Sequence, residues 1–288
     1  MLPEIVVQDP LALADRMSAV VAADARDALA SGGRFSVALS GGSLATGFFP
    51  SLARQDTDWT RADFFWCDER AVPPEHADSN YAAARTLWLE PARVPVERLH
   101  RMPADLPDLE GAAAAYESEL ARVLGPSPAI DVVLLGVGPD GHVASLFPGH
   151  PALEDESRSV LAVFDSPKPP PRRLTLTVPV LARAGRVVVA AAGQAKADVV
   201  RESLKNAASD LPLARVLRRA GRSLVLLDPE AARGRRWCLA RPADARGRRR
   251  PERLGARGRR RPAFVPGPRR ARRPARPHRR AALTTSRA

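Results

Sequence analysis

The sequence predicts an α/β fold built on an open, mainly parallel β-sheet. Three apolar runs have the character of buried strands, and each ends at a glycine-containing turn. The runs are Phe35–Leu39, residues 130–135 and residues 186–192. Strands and helices that alternate over short connections are typical of a Rossmann-like sheet with helices on both faces.

Local signals predict the remaining elements in chain order. Asp9 before Pro10 marks a capped helix start, and apolar residues then recur at helical spacing up to a pair of glycines. A strand is predicted over residues 63–66, and Ser79 is the expected start of a further helix. The other predicted segments are a helix over 45–53, a helix over 108–123, a proline-rich loop over 166–173, a helix over 195–208 and a strand over 223–227.

The net charge of +13 is unevenly distributed along the chain. Residues 233–288 hold 21 of the 45 basic residues and only two acids, a net charge of +19, so residues 1–232 carry a net charge of −6. The basic segment consists mostly of Arg, Pro, Ala and Gly, which predicts disorder. We therefore expect an α/β domain over 1–232 and an Arg/Pro-rich tail over 233–288 that is either disordered or a frameshift artefact, since GC-rich codons yield these residues in any reading frame.

Composition also limits the class of protein. The two cysteines, Cys67 and Cys238, are too few for a disulfide framework or a thiolate zinc site, and the five histidines lack a metal-binding spacing. The N-terminus has no signal-peptide pattern, and no segment approaches the ~18 consecutive apolar residues of a membrane helix. These features predict a cytoplasmic protein with no membrane association and no metal site.

Two glycine turns are candidate ligand-binding loops. The first, the SGGS turn (residues 40–43), joins a strand to a helix, where backbone N–H groups can hold a phosphate; a plain tight turn is the alternative. The second, residues 136–141, matches the dinucleotide pattern G-x-G-x-x-G but follows 130 residues of α/β structure, which disfavours nucleotide binding. Arg172, Arg173 and Lys196 in an acidic body favour a small anionic ligand instead.

Polar residues beside these turns are candidates for chemistry. His142 follows Asp140 by two residues, so the carboxylate can orient the imidazole, although a lone histidine is more often a packed or capping residue. Asp68, Glu69 and Arg70 follow a predicted strand, and a solvated loop is their alternative interpretation.

Taken together, the motifs resemble those of the 6-phosphogluconolactonases, relatives of the glucosamine-6-phosphate deaminases. They are LSGGS at 39–43, WCDERAVPPEHADSNYAAAR at 66–85, GVGPDGHVASLFPGH at 136–150, KPPPRRLTLT at 168–177 and GQAKADVV at 193–200. The resemblance implies hydrolysis of 6-phospho-D-glucono-1,5-lactone to 6-phospho-D-gluconate in the oxidative pentose phosphate pathway. It also implies a deaminase/isomerase-like α/β fold and no cofactor.

The resemblance further implies residue roles. His142 is the expected base that activates water, with Asp140 beside it, and Arg70 is expected to face the lactone or its phosphate. The expected substrate-binding residues are Ser40, Gly41, Gly42, Ser43, Asp68, Asn80, Arg173 and Lys196. A lactone is an activated acyl group, so a positioned water, a neutral imidazole and a stabilised oxyanion are sufficient for hydrolysis.

Two departures and two alternatives accompany this interpretation. Leu44 and Ala45 stand where many relatives have Thr-Pro, which leaves the start of that helix open. Phe147 stands where the deaminases carry a carboxylate, which favours a lactonase over a sugar-phosphate isomerase or deaminase.

The other alternative is a non-catalytic sugar-phosphate sensor that binds nucleic acid through its tail. No DNA-reading module accompanies the tail, so only nonspecific nucleic-acid binding is expected of it. The oligomeric state is left open.

Overall fold

Strands and helices alternate along the chain as expected. The computed structural model describes residues 2–30 and 32–233, which form nine strands and seven α-helices. The strands are β1 (Glu4–Val7), β2 (Phe35–Leu39), β3 (Ala62–Trp66), β4 (Asp68–Arg70), β5 (Val132–Gly136), β6 (Val160–Val163), β7 (Arg173–Leu176), β8 (Arg186–Ala191) and β9 (Ser223–Leu227). The helices are α1 (Pro10–Ala30), α2 (Ser43–Ala53), α3 (Asn80–Ala84), α4 (Leu109–Leu124), α5 (Val178–Ala182), α6 (Ala197–Lys205) and α7 (Pro212–Arg219).

Six strands form a parallel sheet at the centre of the fold. Their order is β1-β9-β8-β5-β2-β3, and each neighbouring pair is parallel. β2, β3, β8 and β9 are buried at every position. Because successive side chains of a strand point to opposite faces, these strands are covered on both faces. The predicted α/β fold with a mainly parallel sheet is confirmed.

The strand order places a topological switch point between β2 and β5. From β2 the chain crosses to β3 on one side, whereas β5, β8 and β9 follow on the other side. At such a point the loops after the two strands diverge and leave a crevice at the carboxyl ends of the strands, where open α/β sheets bind ligands.

A second, three-stranded sheet of order β4-β7-β6 is antiparallel, and the sequence did not predict it. β4 pairs with β7 so that Asp68 lies opposite Thr175 and Arg70 lies opposite Arg173. Asp68 and Glu69 are each only 4% exposed. The solvated-loop interpretation is therefore wrong for these two carboxylates, which are held inside a small sheet.

The helix boundaries confirm some local signals and correct others. Asp9 Oδ1 accepts a hydrogen bond from the N–H of Ala12 (3.0 Å), and Ser79 Oγ accepts one from the N–H of Ala82 (3.1 Å), so both expected caps form. α2 begins at Ser43, two residues before the predicted start at Ala45. The helix predicted over 195–208 is shorter in the structure, where α6 spans Ala197–Lys205. The sequence did not predict β1, β6 and α7.

None of the described helices is long and apolar enough to cross a membrane. The described residues belong to one compact unit. Apart from Arg233, the predicted tail over 233–288, and with it Cys238, lies outside the described residues, so the predicted boundary at residue 232 stays a prediction.

Candidate active site

A cavity of about 310 Å³ opens at the switch point, beside the carboxyl ends of β2 and β5. Its size suits a small ligand. Its lining comprises Ser40, Gly41, Gly42, Ser43, Asp68, Arg70, Asn80, Gly136, Val137, Gly138, Pro139, His142, Ala144, Arg173 and Lys196. Every expected site residue except Asp140 therefore lines one cavity, and Asp140 contacts His142.

The SGGS turn presents the uncapped N-terminus of α2 to this cavity. Gly42 precedes the helix with a φ of 63°, and no side chain caps the first helical N–H groups. Unpaired N–H groups at a helix N-terminus attract anions. Lys196 Nζ lies 3.4 Å from Ser43 Oγ, so an ammonium group reaches the same corner. Burial lowers the pKa of Lys196 from its usual value, and the charge of Asp228 opposes that shift.

The loop after β5 places a histidine and a carboxylate side by side. Asp140 Oδ1 lies 2.5 Å from Nδ1 of His142, which fixes the tautomer with the proton on Nδ1 and leaves the Nε2 lone pair available. Burial opposes the charge of Asp140, but the hydrogen bond from His142 holds the pKa of this carboxyl below its usual value. A Cβ at position 138 would overlap His142 Nδ1, so glycine there leaves room for the pair.

A buried hydrogen-bonded network forms one wall of the cavity. Ser145 Oγ donates to Asp68 Oδ2 (2.7 Å) and accepts from Arg173 Nη1 (3.3 Å). Asn80 Nδ2 donates to the carbonyl oxygen of Asp68 (2.8 Å) and to Asp68 Oδ1 (3.2 Å). Ser145 is fully buried, and the sequence analysis missed it, because a serine inside an apolar motif gives no signal until its partners from distant segments are known.

Most N–H groups of Arg173 donate hydrogen bonds to oxygen atoms of the protein itself. Its Nε donates to the carbonyl oxygen of Pro170 (2.9 Å), and its Nη2 donates to those of Lys168 (3.1 Å) and Pro169 (3.0 Å). With Ser145 also bound, one of its five N–H groups is left for a ligand. Arg172, the other candidate considered, is not among the residues that line the cavity; its guanidinium lies 5.6 Å from the ring centroid of Phe164.

Glu69 and Arg70 have different surroundings. Glu69 accepts hydrogen bonds from three backbone N–H groups, those of Arg70, Asn80 and Tyr81, each at 2.8 Å. Burial nevertheless raises the pKa of Glu69. Glu69 therefore anchors the start of α3, whereas Arg70 lines the cavity, donates from Nη1 to the carbonyl oxygen of Asp78, and has a buried Nε without a hydrogen-bond partner among the described residues.

Comparison with known proteins assigns the chain that forms this cavity to a family. The sequence model of the family described as glucosamine-6-phosphate isomerases/6-phosphogluconolactonase matches residues 8–225. The chain belongs to this family. The matched span contains every expected site residue and all of the residues that line the cavity.

Individual relatives agree with the family. The chain is 41% identical over 244 residues to a 6-phosphogluconolactonase of Streptomyces coelicolor, over 80% of this chain and 94% of that protein. It is 41% identical over 208 residues to a 6-phosphogluconolactonase of Rattus norvegicus, over 70% of this chain and 80% of that protein. Among solved structures, a 6-phosphogluconolactonase from Trypanosoma cruzi superposes with a TM-score of 0.73 at 29% identity, covering 81% of this chain and 97% of that one.

Proposed function

We propose that this chain hydrolyses 6-phospho-D-glucono-1,5-lactone to 6-phospho-D-gluconate, a step of the oxidative pentose phosphate pathway. The observation that carries the proposal is that one cavity holds both a carboxylate-bound histidine and an uncapped helix N-terminus with a lysine. The first can activate water, and the second can bind a phosphate. The relatives named 6-phosphogluconolactonase support the same reaction.

The substrate would bind with its phosphate in the corner between the SGGS turn and Lys196. The N–H groups of the turn and the ammonium group supply donors for the phosphate oxygens. The lactone ring would then extend along the wall formed by Asp68 and Asn80, whose side chains can bind sugar hydroxyl groups. This orientation brings the carbonyl group of the lactone toward His142.

His142 Nε2 would remove a proton from a water molecule as its oxygen attacks C1 of the lactone. The carbonyl π electrons move onto the oxygen, and the resulting oxyanion needs a donor; Arg70, whose side chain carries a guanidinium and which lines the cavity, is the proposed group. The oxyanion then re-forms the C1=O double bond as the C1–O5 bond breaks, and O5 takes the proton from the imidazolium. The carboxylic acid product then loses its proton to solvent, and His142 returns to its starting state.

Asp140 would orient His142 and stabilise the imidazolium that forms during this cycle. Its hydrogen bond to Nδ1 keeps the other ring nitrogen free for the proton of water. His142 also packs against Phe147, with ring centroids 4.9 Å apart. Phe147 is 2% exposed and carries no acid, so the position gives no carboxylate for the proton transfers of a deaminase.

The test is a lactonase assay on the full chain, with the spontaneous hydrolysis of the lactone subtracted. We expect turnover of 6-phospho-D-glucono-1,5-lactone and none of glucosamine 6-phosphate. Measurable deamination of glucosamine 6-phosphate, with no lactone hydrolysis above background, would overturn the proposal.

We also propose that the protein acts in the cytoplasm and that its catalytic domain does not need the basic tail for activity. A chain that ends at Ala232 should keep full lactonase activity, whereas lost activity or lost folding would place the domain boundary further along the chain. The same pair of proteins tests the tail as a nonspecific binder of nucleic acid, because such binding weakens steeply with salt and should vanish on truncation.

A further inference from the structure

Asp228 is a buried carboxylate that joins the ends of two neighbouring strands. It follows β9 directly, at the level where Ala191 of β8 pairs with Leu227. It is 7% exposed. Both of its oxygens accept from the N–H of Gly193, at 3.1 and 3.0 Å, and Oδ1 also accepts from the N–H of Ala231 at 2.7 Å. The side chain thereby ties the segment after β9 to the turn after β8.

That turn carries Lys196 into the cavity. Gly193 has a φ of 90°, and the N–H of Lys196 donates back to the carbonyl oxygen of Gly193 (3.1 Å), which closes a single tight turn. Asp228 holds the first N–H of this turn, and the lysine at the other end reaches Ser43. A shift of the Gly193 backbone would therefore move the ammonium group relative to the SGGS turn.

Asp228 also affects Lys196 through its charge. Lys196 loses hydration in the cavity, which disfavours its protonated form, and the negative charge of Asp228 has the opposite effect. Asp228 lies three residues beyond the span that the family model matches, and it is not among the residues that line the cavity. Its hydrogen bonds to Gly193 link it to the cavity through the turn that carries Lys196.

We propose that Asp228 is a positioning residue for phosphate binding: its carboxylate fixes the turn at Gly193, and this turn places the ammonium group of Lys196 beside the SGGS turn. The inference rests on the proposed role of the SGGS turn and Lys196 as the phosphate site. It assigns to the end of β9 a specific contribution to the recognition of a phosphorylated, dianionic ligand. It also separates binding from chemistry, because Asp228 has no contact with the Asp140–His142 pair.

The experiment compares the full-length protein with Asp228→Asn, which removes the charge, and with Glu230→Gln, which removes an exposed carboxylate two residues further along. Calorimetric titration with 6-phosphogluconate measures binding without turnover, and gluconate serves as the unphosphorylated comparison. We expect Asp228→Asn to weaken 6-phosphogluconate binding about tenfold and to raise KM by a similar factor, with kcat changed by less than about twofold. Glu230→Gln should match the wild type.

A second variant protects the test against a folding failure of Asp228→Asn. Gly193→Ala introduces a Cβ that meets no other atom within 4 Å, but it strains the backbone at a φ of 90°. It should give the same selective loss of 6-phosphogluconate affinity. In a double variant with Lys196→Met, Asp228→Asn should add no further loss.

Additive losses in that double variant, or a lower kcat with unchanged affinity, would overturn the proposal. A wild type that binds 6-phosphogluconate and shows no lactone turnover would contradict the proposed function alone. A wild type that binds 6-phosphogluconate no better than gluconate would contradict the phosphate site on which the proposal rests.

Discussion

The SGGS turn and the loop after β5 lie on either side of the switch point and use glycine in opposite ways. At Gly42 the backbone turns with positive φ and leaves the N-terminus of α2 without a side-chain cap, so backbone N–H groups face the ligand. At Gly138 the missing Cβ makes room for the side chains of His142 and Asp140. One turn therefore offers main-chain donors, and the other holds reactive side chains.

Because the two loops contribute different groups, changes on the two sides of the cavity should affect different kinetic constants. A change in the SGGS turn alters ground-state and transition-state binding alike and should appear in KM. A change around His142 removes an interaction that matters only as the proton moves and should appear in kcat.

The largest effect is expected for His142→Ala. Loss of a general base should lower kcat by on the order of 10²–10⁴, with KM changed by less than about threefold. The measurement is steady-state hydrolysis of the phosphorylated lactone, with the spontaneous rate subtracted. An unchanged kcat would remove His142 from catalysis and would break the contrast between the two loops.

Two glycine substitutions test the contrast directly. In Gly138→Ala the new Cβ would overlap His142 Nδ1, so we expect kcat to fall by on the order of 10², the cost of a misplaced catalytic group. In Gly41→Ala it would overlap Asn80 Oδ1, which lies on the binding side, so KM should rise by about tenfold with a smaller change in kcat.

Gly47→Ala is the matched control for this pair. It lies within α2, and an added Cβ there meets no other atom within 4 Å. Both of its kinetic constants should equal those of the wild type. The separation fails if Gly138→Ala and Gly41→Ala change the same constant.

Asp140→Asn should act on the same side as His142 but more weakly. The amide cannot balance an imidazolium, so we expect kcat to fall by about 10-fold to 100-fold with little change in KM. A KM that rises by a similar factor would show that Asp140 contributes to binding instead.

Thermal unfolding of the same variant gives a second measurement. Because the pKa of Asp140 is held below its usual value, its stabilising contribution is present above about pH 4 and is lost as the pH falls through the lowered value. The difference in Tm between the wild type and Asp140→Asn should therefore shrink on acidification. A difference that grows toward low pH would contradict the assigned direction.

Sequence patterns predicted the parallel sheet because its strands are continuous apolar runs. Phe35–Leu39 and Ser223–Leu227 have the same bounds in the prediction and in the structure. β4 could not be recognised in this way, because its residues are charged and become buried only through partners on β7 and α3. Its strand character follows from tertiary contacts rather than from local composition.

The residues of the candidate site also differ in whether the sequence alone can reveal them. Gly41, Gly42 and His142 stand in motifs that sequence analysis can find, since glycine turns after apolar strands are local features. Ser145 and Asp228 are single polar residues whose partners are 28 to 77 and 35 positions away in the sequence. No spacing rule connects such pairs, so their contribution emerges only from the fold.

The smallest effect is expected for Ser43→Ala. If the SGGS turn binds phosphate mainly through backbone N–H groups, the loss of the Ser43 hydroxyl removes only the weak 3.4 Å contact to Lys196. KM should then rise by about twofold to fivefold while kcat stays unchanged, because so long a contact to the ammonium group contributes no more than about 1 kcal/mol. Ser118→Ala, which removes an exposed hydroxyl on α4, is the control and should change neither constant. A KM increase as large as that of Gly41→Ala would show that the first turn, like the second, works through its side chains.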